Sequence, residues 1–292
     1  MPFYNQQEYL LAAVESVLAQ DYSHVELVIV DDASPGLGAS ELLSHVRRDG
    51  LKILRNESNM GTAATRNRAV SAAAGELLLP LDADDLLERS YLSETVPLLA
   101  DTNVGGVVTD FAMFGTRDLV VSPELALINV MSGSECTPNT FLLKRALYDE
   151  LGGYKEAMRF GEDREFWIRA LNSKWQFKHL AKPLYRYRKH AAGKSNLYRS
   201  QRFLNQFKQN RSLYLEHLEA VLARREDTVW QQADDYQHLH TEFHRLLANY
   251  RQLEEQFNKL SGMPRLPIRH QIARKVQELW KSKLKMLFRT QP

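Results

Sequence analysis

Residues Val25–Ser34 read VELVIVDDAS, an apolar run that leads directly into two carboxylates. A short continuous run of β-branched and leucine residues indicates a strand buried on both faces, as in a parallel sheet. Residues Leu77–Asp85 repeat the arrangement, since LLLPL leads there into DADD. Ligands of open α/β sheets bind at the carboxyl ends of the strands. The two acidic stretches are therefore expected at one edge of a sheet.

The chain of 292 residues changes character near residue 195. Before that point short apolar runs alternate with helical periodicity, and thirteen of the 14 glycines lie at or before Gly193. This alternation predicts an α/β domain over residues 1–195, doubly wound around a mostly parallel sheet. The predicted elements include a strand over Glu76–Leu81 and a helix from about Leu86.

Residues 196–260 are polar, contain no proline and predict a helical segment. Within it, apolar residues occupy every a and d position of four heptads, which predicts a coiled coil and self-association through it. The alternative is a long amphipathic helix that folds back on its own domain. The heptad residues are Tyr236, Leu239, Phe243, Leu246, Tyr250, Leu253, Phe257 and Leu260.

Residues 261–292 form a basic tail. This tail carries a formal charge of +7 and the preceding residues carry −5, which together give the +2 of the whole chain. An apolar helical arc that contains Trp280 lies opposite a basic face, which predicts binding to an anionic membrane surface. Packing on the body of the protein is one alternative. Nucleic-acid binding would leave the apolar arc unexplained, so no nucleic-acid partner is expected.

Composition limits the protein class and its location. The single cysteine, Cys136, excludes an internal disulfide and a multi-cysteine zinc site. No apolar run reaches the ~18–20 residues of a membrane span, and no basic-then-apolar segment opens the chain. Together with the basic tail, these features predict a cytoplasmic protein held peripherally at the inner face of the cell membrane.

The second acidic stretch places Asp82, Asp84 and Asp85 within four residues. Three carboxylates at this spacing repel one another unless a cation lies among them, and oxygen ligands suit Mn²⁺ or Mg²⁺. Asp85 has a second interpretation, as the cap of the helix expected from Leu86.

Two further stretches join glycine to charged residues at predicted helix starts. Gly61 opens a helix whose second turn presents Arg66, which suits contact with a diphosphate or a base. Gly161 precedes Glu162 and Asp163, where Asp163 is either a helix cap or a general base.

The order of these motifs resembles that of the inverting family 2 glycosyltransferases of the GT-A fold, which build bacterial cell-surface polysaccharides. The resemblance covers Pro2 to about Ser195, two thirds of the chain. Each motif is weak alone, but seven occur in the family's order. They are Pro2-Phe3-Tyr4-Asn5, Ser16-Val17-Leu18-Ala19-Gln20, Val30-Asp31-Asp32-Ala33-Ser34, Gly61 with Arg66-Asn67, Asp82-Ala83-Asp84, Gly152-Gly153-Tyr154 and Gly161-Glu162-Asp163.

The resemblance implies a metal-dependent enzyme that transfers a sugar from a uridine or thymidine diphosphate donor to a hydroxyl of a glycan or lipid-linked acceptor. On the donor side it implies that Tyr4 stacks on the base and Asp32 accepts from the base's imide N–H. It also implies that Asp82 faces the ribose or the metal and that Asp84 coordinates the divalent cation.

On the acceptor side the resemblance implies that Asp163 deprotonates the attacking hydroxyl. Arg66 and the metal would neutralise the leaving diphosphate. His190 resembles the family's late histidine near the phosphates or the metal, although a lone histidine in a basic loop is more often solvated.

Two further expectations qualify the resemblance. Family members normally have a hydrophobic strand before the Pro-x-Tyr-Asn turn, whereas this sequence begins at Met1-Pro2. The first strand is therefore expected to be missing and the natural protein to begin about ten residues earlier. A coiled-coil assembly protein with a degenerate transferase domain is the alternative function, against which Asp32, Asp84 and Asp163 argue.

Overall fold

The computed structural model describes residues 1–46, 48–116, 118–133, 137–190 and 206–224. The chain divides into two compact units, Met1–Thr228 and Val229–Pro292. The predicted coiled-coil heptads and the basic tail lie outside the described residues. The division into segments at residues 195 and 260 therefore stays a prediction.

Three parallel strands form the first sheet, in the order β1, β2, β3. They are β1 (Pro2–Phe3), β2 (Leu27–Asp31) and β3 (Leu51–Arg55), and all five residues of β2 are buried. The first sheet thus has the buried parallel strand that the VELVIVDD stretch predicts. A first strand was expected to be missing, but Pro2 and Phe3 pair with Val30 and Asp31. Whether a longer strand precedes them stays a prediction.

Helices connect and follow these strands. The helix α1 (Gln7–Leu18) joins β1 to β2, α2 (Ala39–Leu42) lies between β2 and β3, and α3 (Thr62–Ala72) follows β3. The buried residues of α1 are Leu10, Ala13, Val14 and Val17, one apolar face at helical spacing.

The second sheet has six strands and is mixed. Its order is β4, β8, β6, β9, β5, and β7 pairs with β6. The strands are β4 (Leu77–Leu78), β5 (Leu86–Leu87), β6 (Val104–Gly115), β7 (Leu119–Val121), β8 (Leu142–Lys144) and β9 (Gln176–Lys189). Among the strand pairs of the described residues in this sheet, only β6 and β9 run parallel. The prediction of a mostly parallel sheet is therefore wrong for this half, because segments distant in the sequence pair here in antiparallel directions, as β4 does with β8 and β5 with β9.

Further helices among the described residues include α4 (Tyr91–Thr95), α5 (Leu127–Ser132), α6 (Arg145–Leu151), α7 (Glu162–Leu171) and α8 (Arg211–Glu216), with a 3₁₀ turn at Val96–Leu99. The hydroxyl of Tyr214 on α8 donates to the carbonyl of Met131 on α5 at 2.9 Å. No helix in this part of the chain is long and apolar enough to cross a bilayer.

Two local predictions around the second acidic stretch need correction. The strand expected over Glu76–Leu81 is shorter in the structure, where it comprises only the two residues of β4. Pro80 has no N–H and therefore cannot donate a hydrogen bond to a neighbouring strand. The helix expected from Leu86 is wrong, since Leu86 and Leu87 form β5 and the helix begins at Tyr91. Pairing of β5 with β9 inside the domain overrides the local helical pattern.

An aromatic cluster fixes α7, the helix that carries the predicted base. Trp167 and Phe141 have ring centroids 4.0 Å apart, and Phe166 lies 5.0 Å from Tyr154. Phe166, Trp167 and Ile168 are fully buried, so the apolar residues of α7 point into the core. The packed part of α7 therefore holds the first turn of the helix in a fixed position.

Asn67 holds the turn at Gly152, Gly153 and Tyr154 against α3. Its Oδ1 accepts from the Tyr148 hydroxyl at 2.6 Å and from the Tyr154 N–H at 2.9 Å, while its Nδ2 donates to the Tyr154 carbonyl at 2.9 Å. The preceding Gly152 and Gly153 have φ angles of +70° and +69°. Two of the sequence motifs thus meet in one hydrogen-bonded turn.

We predict that Gly153→Ala destabilises the protein more than Gly152→Ala does. Both substitutions place alanine at positive φ, which costs about 1–2 kcal/mol. A Cβ at position 153 would also lie 2.8 Å from the Tyr148 hydroxyl and 3.0 Å from Asn67 Oδ1, whereas one at 152 meets nothing within 4 Å. We expect a further loss of about 1–3 kcal/mol for Gly153→Ala in urea unfolding. Equal losses would show that the turn yields to the methyl group.

Candidate active site

Asp31 anchors the loop that follows β2. Its Oδ1 accepts from the Ser34 N–H at 2.8 Å and its Oδ2 from the Ala39 N–H at 3.2 Å. Arg55, at the end of β3, pairs with the same carboxylate. Asp31 is buried and its hydrogen bonds go to protein groups, so it shapes the loop.

Asp32 points the other way, into the loop between β3 and α3. It accepts from Asn56 Nδ2 at 2.7 Å, from the Met60 N–H at 2.8 Å and from the Gly61 N–H at 2.9 Å. The next residue, Ala33, has a φ of +60°, which is uncommon for a residue with a side chain. A carboxylate offers about four acceptor positions, so one remains for a ligand N–H.

Tyr4 lies beside this loop, at the end of β1. Its side chain is exposed, and the N–H of Asn5 donates to Ser34 Oγ at 3.0 Å. Asn5 also has a positive φ, +53°. The turn therefore holds an aromatic ring in solvent next to the loop that carries Asp32, where a planar group could stack on it.

Arg66 of α3 lies between two carboxylates. Its Nη1 donates to Glu162 Oε1 and its Nη2 to Asp82 Oδ1, both at 2.7 Å, and its guanidinium lies 5.4 Å from the centre of the Tyr154 ring. Burial opposes the charge, but Asp82 and Glu162 outweigh it and raise the pKa of Arg66. With 6% of its side chain exposed, Arg66 contacts the protein's own carboxylates. Its contact with a diphosphate stays a prediction.

Asp85 is a structural member of the second acidic stretch. It is fully buried and accepts hydrogen bonds from the Tyr185 hydroxyl and, at 2.8 Å, from the Arg188 N–H. Burial, together with the charges of Asp84 and Asp82, raises its pKa well above the ordinary value. The interpretation of Asp85 as a helix cap is wrong, because β5 follows it and the side chain binds β9 instead.

The side chains of Asp84 and His190 are in direct contact in the site. Asp84 Oδ2 lies 3.0 Å from His190 Nε2, and the histidine ring packs against Tyr9 with centroids 5.2 Å apart. Burial and the charge of Asp82 raise the pKa of Asp84, while the hydrogen bond from His190 opposes the rise. Arg188 Nε donates to the Asp84 carbonyl at 2.7 Å and so fixes the backbone.

The donor set at Asp84 fits a divalent cation that a substrate completes. In the part of the chain that the structure describes, no cluster of three or more His, Cys, Asp or Glu side chains is arranged to hold a metal ion. Asp84 and His190 nevertheless present an oxygen and an imidazole nitrogen at one point. Mn²⁺ and Mg²⁺ commonly combine few protein ligands with water and phosphate oxygens.

Asp163 is the second residue of α7, after Glu162. The cap position belongs to Gly161, with a φ of +76°. Asp163 is half-buried, and its Oδ1 accepts from the Arg164 N–H at 2.8 Å. Its carboxylate therefore lies at the open end of the helix, with acceptor positions beyond that single bond.

A chain of contacts joins the loop that follows β2, which carries Asp32, to α7. Asn56 bridges Asp32 and, at 3.2 Å, the hydroxyl of Thr65, and the next residue, Arg66, reaches Asp82 and Glu162. The structure thus brings Asp32, Arg66, Asp82 and the helix of Asp163 together at one edge of the domain.

Sequence reasoning assigned no role to three residues of this site. Asn56 directly follows β3, so the rule that strand ends carry the site could have found it. Asn139, whose Nδ2 lies 3.4 Å from Asp82 Oδ1, leaves no local pattern. Glu162 belongs to the Gly161-Glu162-Asp163 motif, but its pairing with Arg66, 96 residues away, leaves none.

The model of Glycosyl transferase family 2 matches residues 1–161. The chain belongs to this family. It is therefore a glycosyltransferase, as the motif order implied. It is 28% identical to the putative glycosyltransferase EpsE of Bacillus subtilis (strain 168) over 197 residues, 64% of this chain and 71% of EpsE. It is 27% identical over 177 residues to the UDP-Glc:alpha-D-GlcNAc-diphosphoundecaprenol beta-1,3-glucosyltransferase WfgD of Escherichia coli, 59% of this chain and 68% of WfgD.

Two solved structures resemble this glycosyltransferase. Residues 1–349 of S. aureus TarS in complex with UDP-GlcNAc align with a TM-score of 0.65 and 21% identity over 80% of this chain and 72% of that one. The mannosyltransferase PcManGT of Pyrobaculum calidifontis, in complex with GDP-Man and Mn²⁺, aligns with a TM-score of 0.54 and 19% identity over 96% and 86%. At these identities the likeness concerns the fold, which is GT-A-like α/β.

We predict that Asp85→Ala destabilises the metal-free glycosyltransferase and that Asp84→Ala does not. Removing the Asp85 carboxylate leaves the buried Tyr185 hydroxyl and the Arg188 N–H without their acceptor, a loss of about 1–3 kcal/mol. Removing Asp84 relieves the repulsion from Asp82, so we expect its free energy of unfolding to stay within about 0.5 kcal/mol of the parent. Chemical denaturation in EDTA measures both. Equal destabilisation by the two variants would contradict this division.

Proposed function

We propose that this glycosyltransferase transfers a sugar, with inversion, from a uridine or thymidine diphosphate sugar to a hydroxyl of a glycan or lipid-linked acceptor in the synthesis of bacterial cell-surface polysaccharide. The observation that carries the proposal is the Asp84–His190 pair beside Asp82, on the same edge as the first turn of α7. WfgD, named for transfer to a diphosphoundecaprenol-linked sugar, and TarS, solved with UDP-GlcNAc, support these substrate classes.

The base of the donor binds between Tyr4 and Asp32 in this proposal. The exposed ring of Tyr4 offers a stacking surface. Asp32 is held in place by three N–H donors, and its remaining lone pair accepts the imide N–H of uracil or thymine. Both oxygens are fixed before the donor arrives, which lowers the entropy cost of binding.

The diphosphate lies next to Asp84 and His190. Asp84 and His190 would hold Mn²⁺ or Mg²⁺, and such an ion, when bound, neutralises charge on a leaving diphosphate. Asp82 keeps one oxygen on Arg66 and, with 31% of its side chain exposed, turns towards the ribose or the ion. The presence of Mn²⁺ in the PcManGT complex supports this part of the proposal.

Asp163 acts as the general base. An acceptor hydroxyl is a weak nucleophile at neutral pH, so its proton must leave as the bond to the sugar forms. The acceptor oxygen bonds to the anomeric carbon, the bond to the diphosphate oxygen breaks, and its electron pair leaves with the diphosphate. The proton passes to Asp163. Attack from the side opposite the leaving group inverts the anomeric centre.

The proposal includes a peripheral location at the cytoplasmic face of the membrane. It rests on the sequence of residues 261–292, with their charge of +7 and apolar arc. Each basic residue close to an anionic surface contributes roughly 1 kcal/mol. Self-association through the heptads of Tyr236–Leu260 belongs to the same proposal.

We predict that a UDP- or dTDP-sugar raises the melting temperature only with Mn²⁺ or Mg²⁺ present. The panel is UDP-glucose, UDP-GlcNAc, UDP-galactose, dTDP-rhamnose and, as a purine control, GDP-mannose. Saturation at 100 times the dissociation constant adds about 2.7 kcal/mol. Asp84→Ala should lose the metal-dependent part of this shift. A shift that is equal in EDTA, or larger for GDP-mannose, would contradict the proposed donor site.

We predict that Asp163→Asn retains donor binding and loses transfer. Asparagine keeps the size and an oxygen for the Arg164 N–H but cannot take a proton, so kcat should fall about 10²–10⁴-fold. Calorimetry measures donor affinity, and release of the nucleoside diphosphate with synthetic lipid-diphosphate sugars measures turnover. Asp149→Asn, at an exposed position of α6, is the control. Full turnover by Asp163→Asn would remove Asp163 from the mechanism.

A further inference from the structure

The Arg66 side chain links the donor side of the site to the helix that carries Asp163. We propose that Glu162 is a positioning residue: its ion pair with Arg66 sets the first turn of α7, and with it Asp163, relative to Asp82. This inference rests on the proposed function, in which Asp163 is the base.

The geometry of the bridge is rigid. A guanidinium is a planar fork with fixed N–H directions. One arm holds Asp82 Oδ1 and the other Glu162 Oε1, each at 2.7 Å, so one group sets the separation of the two carboxylates. Arg66 projects from α3 and packs on Tyr154, so α3 supplies a common reference for both. Asp163 directly follows Glu162 in the chain, so fixing the position of Glu162 also fixes that of Asp163.

Stability does not account for the bridge. Glu162 and Arg66 are buried, with 10% and 6% of their side chains exposed, and burial raises the pKa of Glu162 against the pull of Arg66. Arg66 Nε has no hydrogen-bond partner among the described residues. Buried ion pairs of this kind are often no more stable than apolar replacements. Phe166 and Trp167 already pack α7 into the core, so the distinct effect of the bridge is orientation.

Glu165 provides the matched control on the same helix. It is fully buried and pairs with Arg169 at 2.6 Å, as Glu162 pairs with Arg66. Arg169 donates in turn to the carbonyls of Leu151 and Gly153, so this second bridge joins α7 to the end of α6. Glu165 therefore tests the loss of a buried ion pair on α7 that does not reach Asp82.

The experiment compares Glu162→Ala, Glu162→Gln and Glu165→Gln in the full chain. The probes are the donor of the panel with the largest Mn²⁺-dependent shift and the synthetic lipid-diphosphate sugars. We expect Glu162→Ala to lower kcat for transfer about 10–100-fold, the size of effect that an ångström-scale misplacement produces. Donor affinity should stay within twofold. Glu162→Gln keeps an acceptor for Arg66 and should recover part of the loss.

Glu165→Gln should lower the melting temperature while kcat stays within threefold. The inference is overturned if Glu162→Gln and Glu165→Gln lower kcat and melting temperature in the same proportion, or if Glu162→Gln weakens donor binding as much as it lowers kcat. If Glu162→Ala does not fold, the comparison of Glu162→Gln with Glu165→Gln tests the inference. A parent protein that transfers no sugar overturns the proposed function as well, whereas an active parent with unimpaired Glu162 variants overturns this inference alone.

Discussion

The buried guanidinium of Arg66 is the constraint on which the site depends. It is one cation between two carboxylates that come from different parts of the chain, Asp82 before β5 and Glu162 at the start of α7. Without it the two carboxylates would lie close together with no cation between them, and their negative charges would repel each other. Arg66 thus compensates the charges of both carboxylates and also fixes the distance between them.

The other buried acids are held in a comparable way, each by a different partner. Arg55 and loop amides hold Asp31, amide groups hold Asp32, and Tyr185 with the Arg188 N–H holds Asp85. Asp84 differs from these three acids, because its side chain meets His190, and an imidazole is a side chain that commonly binds metals. Neighbours therefore assign structural and functional tasks to acids that look equivalent in the sequence.

Periodicity and strand ends revealed much of the fold and site. The buried run before Asp31 predicted β2. The expectation that both acidic stretches lie at one edge of a single sheet is wrong, because β2 and β4 belong to different sheets, and Arg66 of α3 reaches Asp82 instead. The local sequence pattern gave a wrong prediction at Leu86, where it indicated a helix but pairing with β9 forms a strand. It also failed for the second sheet, since strand direction depends on how distant segments pair. The Gly161-Glu162-Asp163 motif contains Glu162, but the pairing of Glu162 with Arg66 left no signal, because the two residues are 96 apart in the chain.

The sequence by itself determined the family, through the order of its motifs, and the residue types available for chemistry. It also determined the +7 tail, whose charge needs no structure to be counted. Only the tertiary structure decided that Arg66 faces carboxylates inside the protein, that Asp85 binds β9 and that Asp84 meets His190. The physical reason is that burial and pairing set the task of a charged group, and both depend on segments brought together by folding.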